Sequence, residues 1–144
     1  MGPSADLLAD IQEVASLAAL RHIYGDLPFP RDAVLERWRT TGALIIVDGE
    51  GRGFAAVDPP WLDALYVRPE AWGTGLAARL HDEALAALRR SGETTARLWV
   101  LEENPRARRF YERRGWAPNG VTRVVPHPPY PTDLQYVLYL PSRD

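Results

Sequence analysis

The sequence predicts an α/β fold, and features of its central segment support that prediction. Strand-like and helical patterns alternate from residue 62 to residue 116, in the order strand, helix, strand, helix. A glycine-rich turn at 72–75 joins the first strand to the first helix, and Gly92 follows that helix as a residue that accepts left-handed dihedrals. A strand, a glycine turn and a helix N-terminus in this order form an anion site, because the backbone can approach a ligand there.

The elements of the central segment follow from their local patterns. The apolar run at 62–67 predicts a strand, and 76–90 has helical spacing. Residues 96–101 predict a second strand. Asn104 followed by Pro105 then predicts the start of a short helix, because asparagine caps helices and proline fits their first turn. Gly115 ends that helix.

The flanking elements are predicted in the same way, with glycine and proline as the boundaries. On the N-terminal side the patterns predict helices at 6–24 and 31–40 and a hairpin of strands at 43–47 and 53–57. On the C-terminal side they predict strands at 121–125 and 134–140, separated by a proline-rich loop at 126–131. We expect residues 1–144 to form a single domain, because the length suits one core and no linker divides it.

Composition excludes several classes of function. Cysteine is absent, which excludes disulfides, zinc thiolates and a cysteine nucleophile. A net charge of −2 argues against a general nucleic-acid surface. No apolar run is long enough to span a membrane, and no charged segment with an apolar core begins the chain. These features favour a cytoplasmic protein with no metal, membrane or nucleic-acid partner.

Two motifs in the central segment resemble those of the GCN5-related N-acetyltransferase (GNAT) family. The pyrophosphate loop of that family has the form Arg/Gln-x-x-Gly-x-Gly/Ala after a strand that ends in Val-x-Pro. The family's second motif has the form Asn-x-x-Ala-x-x-Phe-Tyr-x-x-x-Gly-Phe. The matching residues here are, for the first motif, Val67, Pro69, Gly73, Gly75 and Ala77 and, for the second, Asn104, Ala107, Phe110, Tyr111, Gly115 and Trp116. Trp72 departs from the pattern, because it stands where the family has Arg or Gln.

The resemblance implies a mixed, mostly antiparallel sheet with helices on both faces. The family's usual first strand is missing or very short here, because little chain precedes Asp6. The resemblance further implies an N-acetyltransferase that uses acetyl-CoA as cosubstrate and a small-molecule or peptide amine as acceptor; it also allows a homodimer. The cofactor-binding residues that it implies are Leu65, Val67, Trp72, Gly73, Thr74, Gly75, Leu76, Ala77, Asn104, Ala107 and Tyr111.

Tyr111 is the implied general acid, since the matching tyrosine of the family protonates the departing CoA thiolate. A phenol with an ordinary pKa near 10 is protonated at neutral pH and can donate this proton. Asp63 is a candidate base, as the carboxylate nearest the strand position at which some family members carry Glu. We expect the 24–30 loop, Trp61 and the 126–131 loop to shape the acceptor pocket, because these segments are rich in aromatic residues and proline.

The sequence leaves two alternative functions open. Residues 73–78 also fit the Gly-x-Gly-x-x-Ala fingerprint of dinucleotide-binding domains, but that fingerprint belongs after the first strand of its unit, and here it follows three predicted strands. The second alternative is a catalytically inactive acyl-CoA-binding module that acts as a sensor or interaction partner. Tyr111 favours the enzyme, whereas Trp72 and the lack of an obvious base favour the module.

Overall fold

The chain forms one mixed sheet with helices packed on both faces, as seen in a computed structural model that describes residues 2–141. The helices are α1 (Ala5–Ala19), α2 (Arg21–Tyr24), α3 (Arg31–Thr40), α4 (Leu76–Arg90) and α5 (Pro105–Glu112). The strands are β1 (Leu44–Val47), β2 (Gly53–Asp58), β3 (Trp61–Val67), β4 (Thr95–Leu101), β5 (Ala117–Val124) and β6 (Thr132–Tyr139). They lie in the order β1-β2-β3-β4-β6-β5, and only β3 and β4 pair in parallel. The predicted fold class is therefore confirmed.

Apolar stripes on the helices form a core on each face of the sheet. On one face, α4 buries Leu76, Leu80, Ala84 and Leu88 against the strands. On the other, α1 and α3 pack Leu8, Ile11, Val34 and Trp38 onto the second core, in which the Trp38 ring meets the Phe54 ring edge to face at 5.2 Å. None of the helices in the part of the chain described here is long and apolar enough to cross a membrane.

The parallel strands β3 and β4 pair only where they begin. Trp61 lies opposite Arg97, and the Arg97 N–H donates to the Pro60 carbonyl at 2.9 Å. No further ladder pair joins these two strands within residues 2–141, so the edge of β3 that faces β4 is open beyond this point. Ligands of open α/β sheets bind beyond the carboxyl ends of parallel strands, so this opening is a candidate ligand site.

Several boundaries differ from the predicted ones. The predicted helix at 6–24 divides at Leu20, whose φ of −120° and ψ of 16° are not helical. β5 begins at Ala117 rather than at 121, although Pro118, Asn119 and Gly120 have the composition of a turn. The register of β5 against β6 shifts between residues 118 and 122, and Gly120 has a φ of 90° in this irregular part. Among the described residues the first element is α1, so no strand precedes it there.

Candidate active site

Two adjoining cavities lie where β3 and β4 diverge. The smaller has a volume of about 180 Å³ and is lined by residues of α1, β3, the glycine loop and α5. It includes seven of the predicted cofactor-binding residues, namely Leu65, Val67, Trp72, Ala77, Asn104, Ala107 and Tyr111. The larger has a volume of about 790 Å³ and lies between α1, the loop before α3 and the ends of the C-terminal strands. Ser16, Leu20 and Tyr66 line both, so the two spaces share a wall.

The glycine loop at 72–75 presents unpaired backbone donors beside the smaller cavity. Gly73 and Gly75 have φ values of 79° and 86°, which residues with a Cβ rarely adopt. Gly75 is the N-cap of α4, and no side chain caps this helix end. The N–H groups of Gly73, Gly75, Ala77 and Ala78 donate to no group within residues 2–141. Four free donors at the positive end of a helix dipole suit an anion.

Trp72 is held in the loop by contacts on its edge and on one face. Its Nε1–H donates to the Val67 carbonyl at 2.9 Å, which ties the loop to the end of β3. The Arg106 guanidinium of α5 lies over the Trp72 ring, with its carbon 3.7 Å from the ring centroid. A positive charge from α5 therefore lies against the glycine loop at Trp72.

The first turn of α5 places Asn104 and Ala107 on the cavity wall. The Asn104 side-chain oxygen accepts the Ala107 N–H at 3.2 Å, and Pro105 occupies the first helical position. Asn104 thus caps the helix, as its sequence context predicts, and lines the smaller cavity as well.

Tyr111 lines the same cavity from the last turn of α5. Its ring meets those of Phe110 and Trp116 edge to face, with centroids 5.4 Å and 5.9 Å away. Its hydroxyl forms no hydrogen bond within the described residues. Removal from bulk water raises the pKa of Tyr111 well above its usual value, and the nearby Tyr66 phenol adds a smaller effect in the same direction. The phenol therefore stays protonated and can donate into the cavity.

The other four predicted cofactor-binding residues, Gly73, Thr74, Gly75 and Leu76, do not line the smaller cavity; the Leu76 side chain is buried in the core and its N–H donates to the Thr74 hydroxyl oxygen at 3.4 Å. Two residues predicted for other roles also lie outside both cavities. Asp63 lines neither cavity, and its carboxylate lies 3.2 Å from Arg37 as an ion pair. Trp61 does not line the larger cavity, because its ring stacks on that of Trp99 of the adjacent strand at 5.9 Å. Of the segments predicted to shape the acceptor pocket, residues 24–30 (apart from Asp26) and 126–128 line the larger cavity, whereas Trp61 and residues 129–131 do not.

Sequence reasoning missed Tyr66 and Asp133. Tyr66 separates the two cavities, and Asp133 lies in the wall of the larger one. No local motif marks either residue. Asp133 reaches the site only because β6 pairs with β4 so that Asp133 lies opposite Leu101, where β4 ends. Within residues 2–141 no group of three or more His, Asp or Glu side chains is arranged to hold a metal ion.

Comparisons with known proteins agree with this geometry. The sequence model of the Acetyltransferase (GNAT) family matches residues 11–116. An uncharacterized N-acetyltransferase of Archaeoglobus fulgidus is 38% identical, over 45% of this chain and 52% of that protein. The chain spans between 32% and 56% of the length of the curated relatives that it matches.

Solved structures share the fold at low sequence identity. A GNAT N-acetyltransferase from Rhodopseudomonas palustris superposes with a TM-score of 0.77 at 19% identity, covering 94% of this chain and 89% of the other. An acetyltransferase structure from Salmonella typhimurium that contains its cofactor acetyl-CoA has a TM-score of 0.65 at 19% identity, covering 100% of this chain and 94% of the other. At this identity the likeness shows the fold alone.

Proposed function

The chain belongs to the GNAT family of acetyltransferases, and we propose on that premise that it transfers the acetyl group of acetyl-CoA to an amine. The observation that carries the proposal is the position of four unpaired N–H groups, two in the glycine loop (Gly73 and Gly75) and two in the first turn of α4 (Ala77 and Ala78). They lie beside a narrow cavity that Tyr111 also lines. One ligand can thus place an anionic group on the loop and a reactive group near the phenol.

The residues present fit acetyl-CoA. The free N–H groups of the loop would hold the pyrophosphate, with Arg106 supplying positive charge beside them. The open edge of β3 and the Asn104 side chain would hold the pantetheine arm in the smaller cavity. Acetyl-CoA supplies an activated carbonyl carbon, which forms a bond to the amine nitrogen while the bond to sulfur breaks and the sulfur keeps the electron pair.

The chain's own contributions to this reaction are hydrogen-bond donation and proton supply. Unpaired N–H groups on the open edge of β3 would stabilise negative charge on the carbonyl oxygen. Tyr111 would donate its proton to the sulfur, and its raised pKa ensures that the proton is present at neutral pH. We do not propose Asp63 as the base, because it lines neither cavity and is paired with Arg37. The amine proton would then leave to water.

A catalytically inactive acyl-CoA-binding module would use the same cleft, and turnover separates it from the enzyme. The test is thiol release from acetyl-CoA over a panel of primary amines, with mass-spectrometric detection of the acetylated amine. The enzyme reading predicts one acetylated amine for each CoA released and a rate proportional to protein concentration. CoA binding without amine-dependent release across the panel would support the module instead.

A further inference from the structure

We propose that the larger cavity is the acceptor site, and that Asp133 binds the ammonium group of a primary amine attached to an apolar body. This inference rests on the proposed acetyltransferase function and adds the chemical class of the acceptor. The cavity adjoins the one that Tyr111 lines and shares Ser16, Leu20 and Tyr66 with it. An acceptor bound there would therefore lie next to the reacting thioester. Its ammonium group would lose one proton to water before the neutral nitrogen attacks, and a second proton would leave to water as the amide forms.

The walls of the larger cavity are mostly apolar. They include Leu17, Leu20, Tyr24, Leu27, Phe29 and Val34, together with prolines of the loops before α3 and after β5. A volume of about 790 Å³ lies in the range of small-molecule sites, which bind an apolar body and orient it through a few polar groups. The polar groups of this cavity therefore decide which functional group is recognised.

Asp133 has a carboxylate oxygen available for a ligand. Its side chain is 9% exposed, and its Oδ2 accepts from Arg123 Nε at 3.0 Å. No donor within residues 2–141 binds its Oδ1, although every fully buried side-chain oxygen and nitrogen there has a hydrogen-bond partner. The Oδ1 atom is therefore not sealed off, and it can accept a hydrogen bond from a molecule in the cavity.

The phenols on the cavity wall lie close enough to Asp133 to respond to its charge. The pKa of Tyr24 is raised, first by removal from water and next by the negative charge of Asp133. The pKa of Tyr66 is raised mainly by burial; Arg37 opposes this, and the negative charges of Asp63 and, least of all, Asp133 add to the rise. The charge of Asp133 is therefore felt most at Tyr24.

Two of the arginines that line the larger cavity are held by carboxylates. Arg37 pairs with Asp63 at 3.2 Å, and Arg123 is held between Asp133 and the Trp99 ring, 4.2 Å from the ring centroid. The third, Arg21, has a side chain that is 81% exposed, so solvent screens its charge. A ligand carboxylate would compete with Asp63 and Asp133 for their arginines, whereas an ammonium group finds the free oxygen of Asp133. The less exposed polar groups of the cavity therefore favour a cation on an apolar body.

The experiment uses 2-phenylethylamine as the probe. 2-Phenylethanol is its uncharged counterpart, and ethanolamine is a primary amine without the apolar body. Direct binding is measured by calorimetry with and without CoA, and steady-state kinetics are measured with acetyl-CoA. The variants are Asp133→Asn, Arg123→Gln and Glu83→Gln. Glu83 is exposed on α4, so the last variant removes one negative charge away from the cavity.

We expect the wild-type protein to bind the amine more tightly than the alcohol and to prefer it to ethanolamine. Asp133→Asn should weaken amine binding and raise the KM for the amine about 10- to 100-fold, as expected for loss of a charge-assisted hydrogen bond. The KM for acetyl-CoA should change less than twofold. Arg123→Gln should leave amine binding unchanged or tighter, because Asp133 loses its competing partner, and Glu83→Gln should behave like wild type.

A purely structural role for the ion pair would make Asp133→Asn and Arg123→Gln equally harmful, and that result would overturn the proposal. It would also be overturned if the protein acetylated other amines but did not prefer 2-phenylethylamine to ethanolamine, while the proposed function would stand. Amine binding that depends on Asp133 without any turnover would support the acceptor site and contradict the proposed function. The two proposals can therefore fail separately.

Discussion

Tyr111 is the residue whose hydroxyl should matter most for turnover. Tyr111→Phe removes the hydroxyl and keeps the ring, and the hydroxyl forms no hydrogen bond within the described residues. Packing against Phe110 and Trp116 should therefore persist, and CoA affinity should change little. We expect kcat to fall about 10²–10⁴-fold, the usual contribution of general acid catalysis. Steady-state kinetics and CoA titration of both proteins measure this.

An unchanged kcat, with the chemical step shown to limit the rate, would remove Tyr111 from the mechanism. A large loss of CoA affinity would instead make it a binding residue. The raised pKa of Tyr111 also predicts a pH dependence of kcat that can be measured. Because the folded state holds this proton more tightly, the phenol stays protonated through pH 10, and kcat should show no basic decline from this group below that pH.

Arg106 should contribute to CoA affinity through its charge above Trp72. Arg106→Gln removes that charge from beside the glycine loop, and we expect CoA affinity to fall roughly 2- to 5-fold at low salt, the scale of an exposed ionic contact. The effect should shrink as ionic strength rises. Arg109→Gln, an exposed position on the same helix, is the matched control and should bind CoA as wild type does. Equal losses in both variants would show a general effect of helix charge.

His81 should make the protein less stable as pH falls through 6.5. It is 2% exposed and its Nε2 accepts from Trp116 Nε1 at 3.0 Å, which requires the neutral ring. Burial lowers its pKa, Asp82 opposes this, and the charges of Arg114 and Arg89 add to the lowering. The unfolded chain therefore binds more protons just below pH 6.5, so stability is full above that pH and is lost on acidification.

The measurement is the free energy of unfolding between pH 7 and pH 5. His81→Gln keeps an acceptor for Trp116 but cannot titrate, so its stability should depend less on pH than that of the wild type. His127→Gln, in the exposed loop after β5, is the control and should retain the wild-type pH dependence. Identical slopes for wild type and His81→Gln would contradict this account.

At the scale of elements, the two ends of α4 offer a matched pair of glycines. Gly75 and Gly92 have φ values of 86° and 85°, and a Cβ at either one would meet no heavy atom within 4 Å. Alanine at either position should cost about 1–2 kcal/mol of stability, because both must adopt the left-handed conformation. Only Gly75 belongs to the loop that we propose to hold the pyrophosphate, so only its Cβ would add bulk there. We therefore expect Gly75→Ala, but not Gly92→Ala, to weaken CoA binding about tenfold or more.

Thermal unfolding and calorimetry with CoA measure the two effects. Normal CoA affinity in a folded Gly75→Ala protein would remove the phosphate-loop assignment. An equal loss of affinity in both variants would show that strain in α4, rather than contact with the ligand, reduces binding.

Elements with strong local signals could be predicted from the sequence. α3 and α4 have the predicted bounds because glycine or proline stands within two residues of each of their ends and their apolar residues keep helical spacing. The start of β5 could not be predicted, because Pro118, Asn119 and Gly120 have turn composition and their pairing is set by β6. The break at Leu20 is likewise unmarked, since neither proline nor glycine stands there.

At the scale of the whole molecule, the sequence predicted most of the lining of the smaller cavity, but only the two loop segments of the larger one. The glycine loop, Asn104 and Tyr111 belong to two motifs with fixed spacing, and the structure brings residues of both to one cleft. Asp133 and Tyr66 have no motif, and their position depends on how distant strands pair. Long-range pairing also explains why Trp61 does not line the larger cavity, since its ring stacks on that of Trp99 in the next strand.

The fold as a whole predicts which cofactor stabilises it. The N–H groups of the glycine loop follow the third strand of a sheet whose β3 and β4 diverge, rather than the first strand of a dinucleotide-binding unit. A ligand that binds only the folded state at a hundredfold excess over its Kd raises the free energy of unfolding by about 2.7 kcal/mol.

The most direct test of the cleft as an acetyl-CoA site is thermal unfolding of the chain with CoA, acetyl-CoA and NAD in separate titrations. We predict that CoA and acetyl-CoA each raise the Tm in a concentration-dependent manner, and that NAD leaves it unchanged. A rise with NAD and none with either CoA species would contradict the account.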